Sequence, residues 1–145
     1  MRIRIDNREI GSGEPTYIIA ELSANHCHDF KHAVKLLEAA REAGADAIKL
    51  QTYTPDTLTL DCESDNFRIK GTIWEGKSLH KLYAEAYMPW EWQPKLKSIA
   101  GKLGLSLFST PFDPTAVDFL EKMNVPAYKI ASFELVDIDL LRKVA

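Results

Sequence analysis

Two lysines sit inside stretches that otherwise read as apolar strands: Lys49 in "ADAIKLQTYTP" and Lys129 in "PAYKIASFE". A lone buried ammonium is costly to desolvate, so each needs a route to water or an anion beside it. Period-two alternation sorts the neighbouring side chains. Ile48 and Leu50 fall on one face, and Ala47, Lys49 and Gln51 on the other. The same parity adds Ile19 and Glu21, then Ser106, Phe108 and Thr110, then Ala127, Lys129 and Ala131. Ser132 and Glu134 follow at once in the next loop. One face therefore gathers two ammonium groups, carboxylates, hydroxyls and an amide near strand ends. Three chemistries suit it. One is a pocket for a small dianion, phosphate or carboxylate, completed by hydroxyls and backbone amides. Another is purely structural, with Lys49 and Lys129 paired to Glu21 and Glu134, although buried pairs are a weak source of stability. The third makes one lysine a Schiff-base nucleophile, as in aldolases on barrel folds.

The elements that must position this face alternate between strand and helix. Residues 1–15 form a polar lead with a hairpin around Asp6-Asn7, and residues 16–145 carry the βα units. "TYIIAEL" reads as a strand ending in Glu21. Asp29 caps a helix through about Ala43, with Phe30, Ala33, Val34, Leu37 and Ala40 on one face and Gly44 ending it. "ADAIKLQ" is the second strand. Trp92, Leu96, Ile99 and Leu103 recur at helical spacing before the extended "LSLFST". Asp113 and Pro114 open a helix with Val117, Leu120 and Met123 inward, "AYKIAS" is a fourth strand, and "DIDLLRKVA" begins another helix. The joints "AREAGADAIKL", "AGKLGLSLFS" and "EKMNVPAYKIA" are loosely alike, as successive βα units would be. Alternation of this kind implies an α/β fold with a parallel sheet. Four βα units are half of a (β/α)8 TIM barrel of ~250 residues; an open four-stranded sheet is the alternative. Both architectures place ligands at the carboxyl ends of the strands. Tyr53 to Met88 breaks the rhythm, with a short helix at about Leu79–Ala86, and long loops of this kind are commonly functional lids.

Bulk properties narrow the class. The 145 residues are 46% hydrophobic and 27% charged, with a formal net charge of -3, an ordinary globular composition with room for a core. The mild acidity and lack of a basic stripe argue against nucleic acid. No apolar run approaches the ~20 residues that cross a bilayer, and "MRIRIDNREIGSGEP" is no signal peptide. Cys27 and Cys62, without metal-ligand spacing to each other, fit a reducing cytoplasm.

From Tyr17 to Ala145, "IIAELSANH", "EAGADAIKLQTYTPDTLTL", "GTIWEGKSLHKLYAEAYMPWEW" and "FSTPFDPTAVDFLEKMNVPAYKIASFE" resemble the N-terminal half of the sialic acid (N-acetylneuraminate) synthase family. Within it they look most like the pseudaminic acid synthases, because of "PWEW" and "LQTYTPDT". The resemblance implies a (β/α)8 barrel followed by a small antifreeze-like domain. It implies condensation of phosphoenolpyruvate with an N-acetylated amino sugar, here a 2,4-diacetamido-2,4,6-trideoxyhexose, with release of phosphate. It also implies a divalent metal, Mn or Mg, whose two histidine ligands belong to the second half of the barrel and match no position here. By the same resemblance, Lys49, Thr110, Lys129 and Ser132 hold phosphoenolpyruvate, Glu21 is the acid/base group, and Gln51 and Glu134 contact the sugar. A homodimer, a cytoplasmic location and no membrane or nucleic-acid partner complete the expectation.

The departures are informative. Relatives follow "NH" with a small or glycine-containing turn, whereas this chain reads "NHCHDF". His26, Cys27 and His28 look like a metal cluster, but adjacent side chains point apart. Asn25 and His26 stand at the functional strand end, with packing and loop hydrogen bonding as the blander role. Met88 precedes "PWEW" and cannot cap a helix. Trp74, Trp90 and Trp92 read as core residues, with sugar stacking or a subunit interface as the alternative; Arg68 and Lys70 read as solvated, with substrate contact as theirs. The chain ends after the fourth strand, so it reads as a fragment, inactive alone, or as a half-barrel that dimerises. A Schiff-base aldolase or lyase and a non-catalytic anion-binding half-barrel are the competing functions.

Overall fold

The computed structural model describes residues 2–145. Strands β1 (Arg2–Ile5) and β2 (Arg8–Gly11) pair antiparallel across Asp6, which takes a left-handed φ of 50°. The parallel sheet has the order β3 (Ile19–Glu21), β4 (Ala47–Thr52), β5 (Ser106–Pro111). Helices α1 (Phe30–Glu42), α2 (Pro55–Leu58), α3 (Leu79–Ala86), α4 (Gln93–Lys102), α5 (Pro114–Lys122) and α6 (Ile138–Val144) complete the chain with short 3-10 turns.

Local chemistry explains these boundaries. The Asp29 carboxylate accepts the Lys31 and His32 amides at 2.7 and 3.2 Å and so starts α1. Asp113 does the same for α5 and Asp137 for α6. The three similar helix–strand joints end their helices by one device, a left-handed residue at Gly44 (φ 84°), Gly104 (φ 73°) and Asn124 (φ 51°). Asn replaces Gly in the third because its short polar side chain tolerates that conformation. Asp29→Ala is expected to lower stability by about 1 kcal/mol, read as a shift of the urea midpoint with unchanged slope.

The core lies on one side of the sheet. Ile48, Leu50 and Leu107 pack against Ala33 and Leu37 of α1 and Leu96 and Ala100 of α4, with Met88 inserted among them. Met88 thus serves as packing, and the turn at Trp90–Trp92 begins without a side-chain cap. The hairpin closes the amino ends of the strands. Asp46 pairs with Arg8 and accepts the Ile18 amide at 2.7 Å, while Ser106 Oγ donates to Asp6.

One expected strand is not formed. Residues 127–132 make a single parallel bridge, Ser109 to Tyr128, with the Lys129 amide donating to the Ser109 carbonyl at 3.1 Å. Pro126 has no N–H to extend that ladder, and among the described residues nothing pairs with the outer side. The sheet therefore has three parallel strands rather than four. Lys129, expected in a buried strand, is exposed.

Candidate active site at the strand ends

β3, β4 and β5 are in register at their carboxyl ends. Glu21 lies opposite Lys49, and Gln51 opposite Thr110. Lys49 Nζ contacts Glu21 Oε2 directly, with the lysine side chain 16% and the glutamate 35% exposed. Glu21 Oε1 accepts the Ser23 amide at 3.1 Å, and the Lys49 carbonyl accepts the Leu22 amide at 3.1 Å. Burial first, and then the nearby Lys129 ammonium, hold the Lys49 amine below its ordinary value. Two cations thus share this face with one carboxylate between strands, a field suited to an anion of more than one charge.

Of the two structural ion pairs weighed from sequence, Glu21–Lys49 forms; among the described residues Lys129 and Glu134 make none. Ser132 precedes the 3-10 turn Phe133–Val136, which contains Glu134. The Glu134 Oε2 oxygen is buried without a hydrogen-bond partner among the described residues. Thr110 is buried and Ser132 exposed. The cluster is an open face. Grooves of about 700 and 510 Å³ lie elsewhere, beside Ser106 at the amino end of β5 and under the hairpin. A cavity of about 80 Å³ lies behind Glu21 and Asn25, walled by Leu36, Ala40 and Ile48.

The residues here do not fit a metal. The His26 ring is buried with Nδ1 accepting the His28 amide at 3.1 Å, Cys27 Sγ turns to the Asn25 carbonyl at 3.5 Å, and the His28 ring packs on Tyr87. Among the described residues no three His, Cys, Asp or Glu groups converge.

The segment from Tyr53 to Met88 is tied down at its start. Tyr53 is buried edge-on to Tyr83 and Phe112, and burial pushes its phenol up to about 12. The Trp90 indole donates to the Tyr53 carbonyl at 3.0 Å and its ring lies on Phe119. Trp92 packs on Phe30, whereas Trp74 is 45% exposed. Arg68 pairs with Glu63 at 3.1 Å and Lys70 with Asp65 at 3.7 Å, so both cations are engaged within the segment.

A buried polar network under the strand ends escaped the sequence reading. Thr52 Oγ1 donates to Gln93 Oε1 at 2.9 Å, which leaves the Ser109 hydroxyl as donor to Thr52 at 2.6 Å. Gln93 Nε2 reaches the Gln51 carbonyl at 3.5 Å. All three side chains are fully buried. Parity held the signal: Thr52 shares the core face with Ile48 and Leu50, and Ser109 with Leu107. Thr52→Val strands a buried hydroxyl and an amide oxygen, with an expected loss of about 2 kcal/mol in urea unfolding.

Comparison with known proteins follows the same lines. The model of the NeuB family matches residues 36–145. Pseudaminic acid synthase of Helicobacter pylori is 50% identical over 132 residues, 91% of this chain and 39% of that protein. N,N'-diacetyllegionaminic acid synthase of Legionella pneumophila is 33% identical over 93% of this chain and 38% of its own length. The crystal structure of N-acetylneuraminic acid (sialic acid) synthetase from Leptospira borgpetersenii superposes with a TM-score of 0.82 and 29% identity, covering 99% of this chain and 45% of that one. The chain spans about two fifths of the length of the curated relatives it matches.

Proposed function

Because the chain belongs to the NeuB family, we propose that it carries the phosphoenolpyruvate side of a nonulosonic acid synthase active site. The reaction is condensation with an N-acetylated amino sugar, a 2,4-diacetamido-2,4,6-trideoxyhexose giving pseudaminic acid. The observation that carries this reading is the strand-end face on which Glu21 touches Lys49 while Lys129 stands near. Phosphoenolpyruvate is a small anion of up to three charges, which two ammonium groups offset at short range.

Each residue has a task in that reaction. Lys49 and Lys129 take the phosphate and carboxylate, with the Thr110 and Ser132 hydroxyls completing the cradle. The methylene carbon of phosphoenolpyruvate uses its alkene π pair to bond to the aldehyde carbon of the open sugar. The C=O π pair moves onto the aldehyde oxygen, which takes a proton from solvent to become a hydroxyl, and an oxocarbenium centre is left at the carbon bearing phosphate. Water adds there, Glu21 takes the water proton, and the carbon–oxygen bond to phosphate then breaks. Gln51 and Glu134 face the sugar, the orphaned Glu134 oxygen being an acceptor for a sugar hydroxyl or amide. Completion of a (β/α)8 barrel, a homodimer, and a divalent Mn or Mg with ligands outside residues 2–145 belong to the same proposal. So does the inactivity of this chain by itself.

Calorimetric titration of the chain with phosphoenolpyruvate tests it, with pyruvate and inorganic phosphate as controls. Saturable heat at submillimolar ligand is expected; no heat at millimolar ligand would overturn the anion cradle. The lowered Lys49 amine also favours a second reading, Schiff-base chemistry. Borohydride trapping of a carbonyl substrate on Lys49 would replace the first reading with that one.

A further inference from the structure

Three residues of the turn between β3 and α1 are left-handed without being glycine: Ser23 (φ 49°), Cys27 (φ 49°) and His28 (φ 53°). Such residues persist only where surrounding contacts impose them. At His28 that contact comes from a ring. His26 is 1% exposed, and its carbonyl accepts the Asp29 amide at 2.9 Å while its Nδ1 accepts the His28 amide at 3.1 Å. The ring stands edge-on to Trp92 at 5.9 Å, and the His28 ring edge-on to Tyr87 at 5.3 Å. Tyr87 and Trp92 flank the end of the long 53–88 segment. At the other end of the turn, the Ser23 amide donates to the Glu21 carboxylate. Burial, and then His28, lower the His26 pKa, and the ring's Nε2 is buried without a hydrogen-bond partner among the described residues. Acceptance at Nδ1 requires the neutral ring.

We propose that His26 is a positioning residue: clasped between Trp92 and the His28 amide, it fixes the turn whose Ser23 amide holds the Glu21 carboxylate, and by holding His28 against Tyr87 it ties the end of the 53–88 segment to that turn. His26 makes no contact with substrate in this scheme. Its significance for catalysis rests on Glu21 being the acid/base group of the proposed reaction.

The test uses the 145-residue chain and two variants. His26→Phe keeps a packed ring and removes the acceptor; His26→Asn keeps an acceptor near the place of Nδ1. Amide hydrogen exchange at Ser23 and His28 and the carbon-13 titration of the Glu21 carboxyl are read by NMR. His26→Phe is expected to speed exchange at both amides by about tenfold or more. It should also move the Glu21 titration upward, because the carboxylate loses a donor that favours its charged form. His26→Asn restores both. An unmoved Glu21 titration in His26→Phe overturns the proposal, as does an Asn variant shifted as far as the Phe one. If His26→Phe does not fold, the Asn variant decides alone: a native Glu21 titration supports the clasp and a shifted one overturns it. Neither readout involves phosphoenolpyruvate, so failure of the clasp is separable from failure of ligand binding.

Discussion

Replacing Lys49 with methionine is expected to weaken phosphoenolpyruvate binding about 100-fold, a loss of about 2.7 kcal/mol, measured by calorimetry. Methionine keeps much of the length and packing of the stem, so the change isolates the ammonium. The loss is large for two reasons. The Lys49 side chain is only 16% exposed, so its charge acts through poorly screened surroundings. Its removal also leaves the Glu21 carboxylate uncompensated, and that charge then repels the incoming anion. Lys129→Met is the comparator, with an expected loss of about tenfold because that side chain is exposed and screened. Rising pH should act in the same direction as the substitution. In the proposed cradle the charged amine is the form that binds; burial first, and then Lys129, lower its pKa, so as pH rises binding is lost at a lower pH than an ordinary lysine would give. A Lys49→Met chain that binds like the parent would remove the basis for the cradle.

Where the chain's local signals agreed with its packing, the fold was legible. Asp29 and Asp113 are strong caps, Gly44 and Gly104 end helices that only a left-handed residue can end, and Leu79–Ala86 carries its own capping serine, Ser78. Parity within a strand likewise placed Lys49 and Gln51 opposite Ile48 and Leu50. Pairing between strands is different, because it depends on what lies on both sides. "AYKIAS" has strand composition, yet beside Pro126 it joins the sheet by a single bridge to Ser109 and forms no strand. The exposure of Lys129 follows from that, so a buried-lysine argument that holds for Lys49 fails for its counterpart. The Thr52–Gln93–Ser109 network was hidden for another reason. It joins residues 41 and 57 positions apart, and Thr and Ser at core parity invite a search for a partner without naming it.

Glu21→Gln is expected to separate binding from turnover more sharply than any other single change. Glutamine is nearly isosteric and its oxygen can still accept the Ser23 amide, so the strand end should keep its shape. It cannot accept a proton from water, and loss of a general base costs about 10³-fold in kcat, or about 4 kcal/mol of barrier. It also cannot neutralise Lys49. In the ligand-free chain the Glu21 carboxylate competes with any anion for that ammonium, so phosphoenolpyruvate should bind Glu21→Gln at least as tightly as the parent. Binding is read by calorimetry on this chain. Turnover is read as phosphate release by a chimera that continues this chain with the remaining length of the Helicobacter pylori pseudaminic acid synthase, 50% identical over the shared part. Retained turnover would take the acid/base role away from Glu21. Loss of both binding and turnover would assign it a structural role instead, as the counter-charge that keeps Lys49 in place. Tighter binding with turnover lost is the outcome that the contact between the two side chains predicts, because only a group that both opposes the anion at rest and takes a proton during reaction behaves that way.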